Sequence, residues 1–265
     1  MKLSPQQLRF YDTFGFLKFP GLFKDEIAQV EAAFEDVWAA SGRTHDYKQH
    51  SSLAPFADLH EYLSSLLDDL RISGTVASIL GDDWGYGGSD GNHYVGDTMW
   101  HSDHRPHVPY KSLKIAFYLD RVTADTGCLR VIPGSCHAGD LFTRTLDGVV
   151  PVTARQANEQ TWAVHGSEVP AYAIESEPGD MLLFNHKTKH SSWGGGDRRR
   201  MFTYNFEERF SDEVTLSLHS LVRQRVEAGE ESPYGEALLR TAGPERKRHL
   251  EQRLAAWEQV KAQVA

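Results

Sequence analysis

A histidine and a carboxylate two residues apart, His101 and Asp103 in Trp100-His101-Ser102-Asp103, are the side chains best placed to do chemistry in this chain. Residues i and i+2 of an extended strand project to the same face, so the pair can chelate one metal ion, which an i,i+2 pair on a helix does poorly. Further on, Gly179-Asp180-Met181-Leu182-Leu183-Phe184 reads as a turn entering an apolar strand, with His186 and His190 just beyond it. Two imidazoles and one carboxylate on one face of an ion form the arrangement used for non-haem Fe(II), with positions left open for a bidentate co-substrate and for O2. The tripeptide alone says little in a chain with 13 histidines. Its weight depends on the elements around it.

Those elements are legible from periodicity. Ser4-Pro5-Gln6-Gln7 opens a short helix with a capping serine and a proline at its first position, leading into Phe14-Gly15-Phe16-Leu17-Lys18-Phe19-Pro20-Gly21-Leu22, which reads as a short strand. Ile27, Val30, Phe34, Val37 and Trp38 recur at helical spacing between Asp25 and Ala40, and Leu59 to Leu80 also reads as helical. From Trp84 to Phe206 the chain breaks into short β-type runs separated by Gly, Pro, Asp and Ser. Helices first and strands after predict a mainly β fold with flanking helices, built on a double-stranded β-helix (jelly-roll, cupin-like) core. The expected organisation is a single domain over 1–265, with N-terminal helices to 82, the jelly roll over 83–210 and C-terminal helices over 211–265. Leu250, Leu254, Trp257 and Val264 predict a last helix packed on that domain. Leu141 to Ala173 reads as an insertion between strands and a candidate lid over the site.

Composition narrows the classes. A hydrophobic content of 40% suffices for a substantial core, and a net charge of −9 argues against nucleic-acid binding, which Arg198-Arg199-Arg200 is too short to reverse. Only Cys128 and Cys136 are present, and no apolar run reaches the length of a membrane span. The expectation is a cytoplasmic protein with reduced thiols and no membrane partner, monomeric or homodimeric.

Strand alternation assigns faces. Leu113, Ile115, Phe117 and Leu119 share one face, and Ser112, Lys114, Ala116, Tyr118 and Asp120 the other. Lys114 inside a barrel needs an anionic partner, which makes it a candidate contact for an anionic co-substrate or substrate. Arg200, Phe202, Tyr204 and Phe206 read as the face toward the outer helices, with Arg199, Met201, Thr203 and Asn205 facing inward.

The ordered set His101-Ser102-Asp103, Tyr118-Leu119-Asp120, the run from Thr126 to His137, the run from Glu177 to Trp193 and the run from Arg198 to Phe206 resembles the phytanoyl-CoA dioxygenase family of Fe(II)/2-oxoglutarate oxygenases. The likeness spans roughly Ser4 to Phe206. It implies Fe(II), 2-oxoglutarate and O2, with decarboxylation of the co-substrate to succinate and CO2 coupled to oxidation of an unactivated C–H bond. It favours His190, followed by Ser191-Ser192, as the third ligand over His186, which is left beside the ligands or at the pocket mouth. It also implies an arginine about ten residues beyond that histidine for the distal carboxylate, Arg199 or Arg200, and the alternation above favours Arg199. Thr98 and Ser192 fall where relatives supply hydroxyls to 2-oxoglutarate. With Asp103 in place, hydroxylation is expected over halogenation, with desaturation, epimerisation and ring closure left open. The loop His104 to Lys111 and the segment Ser89 to Tyr94 are expected at the barrel mouth, and their polar, partly basic character points to a small, polar, anionic substrate. The alternatives are a cupin-like metalloenzyme that does not use 2-oxoglutarate and a non-catalytic metal-binding sensor.

Overall fold

The computed structural model describes residues 1–104, 108–139, 141–151 and 157–264. The helices are α1 (Pro5–Phe14), α2 (Ile27–Ala40), α3 (Glu61–Ser65), α4 (Leu70–Leu80), α5 (Leu141–Asp147), α6 (Thr215–Glu227), α7 (Glu236–Thr241) and α8 (Pro244–Val264). The strands are β1 (Phe16–Phe19), β2 (Ser51–Leu53), β3 (Gly85–Tyr94), β4 (Thr98–His101), β5 (Ser112–Tyr118), β6 (Leu129–Val131), β7 (Gln160–Thr161), β8 (Val164–His165), β9 (Tyr172–Ile174), β10 (Met181–Asn185), β11 (His190–Ser192) and β12 (Arg199–Glu207).

Two antiparallel sheets face each other in a double-stranded β-helix. The larger has the order β1-β10-β5-β12-β3-β2 and the smaller β4-β11-β6-β9. The N-terminal segment contributes more than helices, because β1 pairs with β10 and β2 with β3, so the larger sheet begins well before residue 83. Ser4 caps α1 through the backbone N–H of Gln7, whose side chain reaches back to the Ser4 N–H, a reciprocal capping box.

Alternation along the strands divides the core in two. Leu113, Ile115, Phe117, Phe202, Tyr204 and Phe206 point away from the smaller sheet and bury α2, α3 and α4 through Phe34, Leu63 and Ile72. Ala116, Tyr118, Leu129, Val131, Phe184 and Met201 fill the space between the sheets. Strand β10 sends Met181 and Leu183 to the first cluster and Leu182 and Phe184 to the second, which is why its sequence is apolar without interruption. The C-terminal helices form their own cluster around Trp257, Leu218 and Val222, with Leu250 buried against the main core and Val264 left 43% exposed at the end of the helix.

Ser89 to Tyr94 is the second half of the ten-residue strand β3, and its Tyr94 and Asp90 line cavities. Its glycines weaken strand propensity, but pairing with β12 on one side and β2 on the other supplies the ladder that propensity lacks. The described part of Leu141 to Ala173 packs on the outer face of the smaller sheet, where Leu146, Val150 and Val169 surround Trp100 and Trp193, and the Trp100 indole N–H donates to the Gly166 carbonyl at 2.7 Å. That placement covers the sheet's back. Residues 152–156 of this segment, and Arg105, Pro106 and His107 of the loop after the His-x-Asp pair, lie outside the described residues.

Candidate active site

The smaller sheet sets the site. Strands β4 and β11 pair antiparallel with His101 opposite His190. Each ring donates Nδ1–H to the carbonyl two residues before it in its own strand, His101 to Met99 at 2.8 Å and His190 to Thr188 at 2.9 Å. Holding the proton on Nδ1 leaves both Nε2 lone pairs free, the tautomer that metal-binding imidazoles use. Asp103 lies in the turn after β4, where its backbone N–H and that of His104 both donate to the His186 carbonyl at 2.9 and 3.0 Å. One ligand atom from each of His101, Asp103 and His190 lies within 4.8 Å of the others.

Protonation states suit a cation. Burial lowers His101 and pushes His190 down to about 3, so both rings are neutral at physiological pH. Burial by itself would raise Asp103, but the Lys114 ammonium outweighs it and holds the carboxyl well below the usual range. Lys114 Nζ stands 2.9 Å from Asp103 Oδ2 as an ion pair, off hydrogen-bond alignment, so this buried oxygen keeps no hydrogen-bond partner. Two bare imidazole nitrogens and an orphaned carboxylate oxygen fit a divalent transition-metal ion in the facial arrangement. Lys114 therefore faces inward and finds its anion in Asp103.

The sequence's other candidate, His186, stands outside this cluster. That ring turns away from the ligand cluster toward Asn205 and lies 4.7 Å from the ring of His104, and burial pushes it down to about 3. A pH dependence follows. The unfolded chain titrates its histidines near 6.5, whereas folded His186 and His190 stay neutral to about 3. The unfolded state thus binds more protons between those limits. Stability is full above about 6.5 and falls as pH drops below it, by up to ~1.4 kcal/mol per pH unit for each ring. The urea midpoint of metal-free protein is expected to decline from pH 7 to pH 5, with a shallower decline in His186→Phe; a flat profile contradicts this.

A cavity of about 100 Å³ lies between the sheets, lined among others by Thr98, the three ligand residues, Lys114, Ser192 and Arg199. Arg199 is 2% exposed. Its guanidinium donates to the carbonyls of Gly127 and Gly96, at 2.6 and 3.2 Å, to Ser192 Oγ and to Thr98 Oγ1 at 3.4 Å. Its Nε has no partner, Tyr94 stacks 4.8 Å from its carbon centre, and among the described residues no carboxylate pairs with it. A buried cation left with neutral oxygens is costly unless an anion joins it. Arg200 is the opposite case, pairing with Asp120 at 2.8 Å and Glu35 at 2.7 Å on the helix-facing side.

The structure thus brings His101, Asp103, His190, Thr98, Ser192, Lys114 and Arg199 to one cavity. Sequence reasoning missed Tyr94 and Gly127. Tyr94 shares the inward face with Asp90 once the register of β3 against β12 is known. Gly127, at φ +88°, carries the carbonyl that receives Arg199, and a Cβ there would meet the guanidinium. Its place in Thr126-Gly127 after a strand was the available signal.

A family model, Phytanoyl-CoA dioxygenase (PhyH), matches residues 11–201. The chain belongs to the phytanoyl-CoA dioxygenase family. No curated protein sequence matches it significantly. Among solved structures, the family fold is similar to that of the non-haem α-ketoglutarate-dependent carbocyclase SnoK from nogalamycin biosynthesis, at 22% identity and TM-score 0.58 over 78% of this chain and 84% of that one. EctD from S. alaskensis, solved with 2-oxoglutarate and 5-hydroxyectoine, aligns at 20% identity and TM-score 0.56 over 78% and 76%. HygX from Streptomyces hygroscopicus, solved with nickel and 2-oxoglutarate, aligns at 14% identity and TM-score 0.62 over 79% and 89%. The phytanoyl-CoA dioxygenase match ends at 201, so α6 to α8 lie beyond it. No described helix is long and apolar enough to cross a membrane.

Proposed function

We propose that this chain is an Fe(II)- and 2-oxoglutarate-dependent oxygenase that hydroxylates an unactivated C–H bond of a small, polar, anionic substrate. The observation that carries this reading is the buried Arg199, lacking a carboxylate partner, in the same cavity as a His-Asp-His cluster with an orphaned carboxylate oxygen. The overall change balances as R–H + 2-oxoglutarate + O2 → R–OH + succinate + CO2. Membership of an oxygenase family, and neighbours of the same fold solved with metal and 2-oxoglutarate, support the cofactor assignment.

His101, Asp103 and His190 would hold the iron, which when bound supplies the activation of O2 that no side chain provides. The protein's part is positioning. Arg199 receives the distal carboxylate of 2-oxoglutarate as a charge-assisted pair, with Thr98 and Ser192 hydroxyls beside it. Tyr118, Leu129, Phe184 and Met201 exclude water from the cavity. Asp103 fills the position that a halide would need, which favours hydroxylation. An anionic substrate suits the positive Lys114 in the cavity wall, which Asp103 meets as an ion pair without an aligned hydrogen bond. The two buried, unpaired cysteines suit a reducing, cytoplasmic setting.

The test is anaerobic addition of Fe(II) and 2-oxoglutarate to the purified protein. A weak visible charge-transfer band, absent in His101→Ala, supports the reading; folded, iron-loaded protein without the band or succinate release overturns it in favour of a cupin-like metalloenzyme. Gly127→Ala provides a second check. By crowding the guanidinium and straining a left-handed backbone, it is expected to raise KM for 2-oxoglutarate roughly tenfold, about 1.4 kcal/mol, with a smaller change in kcat.

A further inference from the structure

A second chamber, about 320 Å³, shares Asp103 and Lys114 with the first. Its wall includes Asp90, His104, His186 and Asn205 from the barrel, and Leu221 and Arg253 from α6 and α8, beyond the family match. Deepening the oxygenase reading, on which it rests, we infer that this chamber binds the substrate through a hydrogen-bond donor, a hydroxyl or an amine, accepted by His186 Nδ1 with the Asp90 carboxylate alongside.

The polarity of His186 follows from its neighbour. Asn205 sits across from Gly88 in the sheet, and its amide nitrogen donates to the Gly88 carbonyl at 3.2 Å. A carbonyl only accepts, so the amide is oriented with Oδ1 toward His186 Nε2, 3.0 Å away. His186 Nε2 must then carry the hydrogen, and Nδ1 is left as an acceptor. That nitrogen is buried without a partner, in a residue 5% exposed. Buried acceptors in native proteins are satisfied by something, and His186 is one of the residues that line the chamber. Asp90 is its neighbour through the same strand, because it accepts from Thr203, two residues before Asn205 on the inward face, and from Asn92, both at 2.5 Å. Among the described residues Asp90 has no salt-bridge partner, whereas the chamber's Lys114 and Arg253 are matched by Asp103 and Glu207. The uncommitted capacity of this corner is therefore for a donor, and the anionic group of the substrate must lie elsewhere along the wall.

The test has two arms. In full-length protein loaded with Zn(II) and 2-oxoglutarate and labelled with ¹⁵N-histidine, the His186 resonances, assigned through His186→Phe, are expected to show a bare Nδ1 that shifts with ethanolamine but not with its O-methyl, N,N,N-trimethyl derivative. A proton on Nδ1, or no distinction between the two probes, overturns the inference. With Fe(II), amino acids, amino alcohols and hydroxy acids are compared with their O- and N-methylated forms as accelerators of succinate release. Donor-bearing compounds are expected to exceed their methylated partners at least about tenfold in kcat/KM, and His186→Phe to bring that ratio toward one. A ratio near one in the unaltered protein, or one that survives the substitution, refutes it. Loss of the charge-transfer band or of all succinate release instead removes the oxygenase reading, while the zinc-loaded NMR arm still decides the acceptor role of His186.

Discussion

His190→Ala should reduce succinate release about a thousandfold or more, equivalent to ~4 kcal/mol of transition-state free energy, and remove stoichiometric iron binding while the far-ultraviolet circular dichroism is retained. The reason is geometric. His190 stands directly opposite His101 in the β4–β11 ladder, and with its Nδ1 held by Thr188 the ring has one orientation for its remaining nitrogen. The two remaining ligands would come from β4 and its following turn alone. His186→Ala provides the contrast, because its ring faces Asn205 and the second chamber. It should keep iron and the charge-transfer band. If instead His186→Ala loses iron and His190→Ala keeps it, the ligand set argued above is wrong.

Arg199→Leu and Arg200→Leu should part company just as sharply. The Arg199 variant is expected to raise KM for 2-oxoglutarate about a hundredfold, ~2.7 kcal/mol, as a charge-assisted carboxylate anchor is lost, with iron binding unchanged. Arg200→Leu leaves KM near its starting value and lowers stability by about 2 kcal/mol or more, because Asp120 and Glu35 lose the cation between them. Initial-rate kinetics and urea unfolding on both variants separate the effects. An elevated KM in Arg200→Leu with none in Arg199→Leu would exchange the two roles.

The division between these adjacent arginines was readable in the sequence, because β12 alternates cleanly between Met201, Thr203 and Asn205 on one side and Phe202, Tyr204 and Phe206 on the other. The inward direction of Lys114 was readable for the same reason, but its partner was not. Asp103 reaches Lys114 only because a turn after β4 brings it across the barrel, a contact without local periodicity. The β-helix core was legible from short strands after helices, whereas β3 was hidden by its glycines and became a strand through pairing alone. The packing of α5 on the back of the smaller sheet depended on Trp100 and Trp193, which sit in sequence next to His101 and three residues after His190 and look like site residues. Asp90 and Asn205 carried no motif at all; their importance comes from which neighbours satisfy them and which of their neighbours stay unsatisfied.

The β4–β11 ladder has one irregular step. His101 pairs with His190 and Thr98 with Ser192, three residues along one strand against two along the other. The first pair belongs to the metal cluster and the second to the cradle of Arg199. On the proposed function, one bulged ladder would work as a ruler whose two marks are the ion and the guanidinium. A dicarboxylate would then have to match that interval to chelate at one end while docking at the other, and a homologue one methylene shorter, such as oxaloacetate, is expected to fall short of a mark that the backbone itself has set.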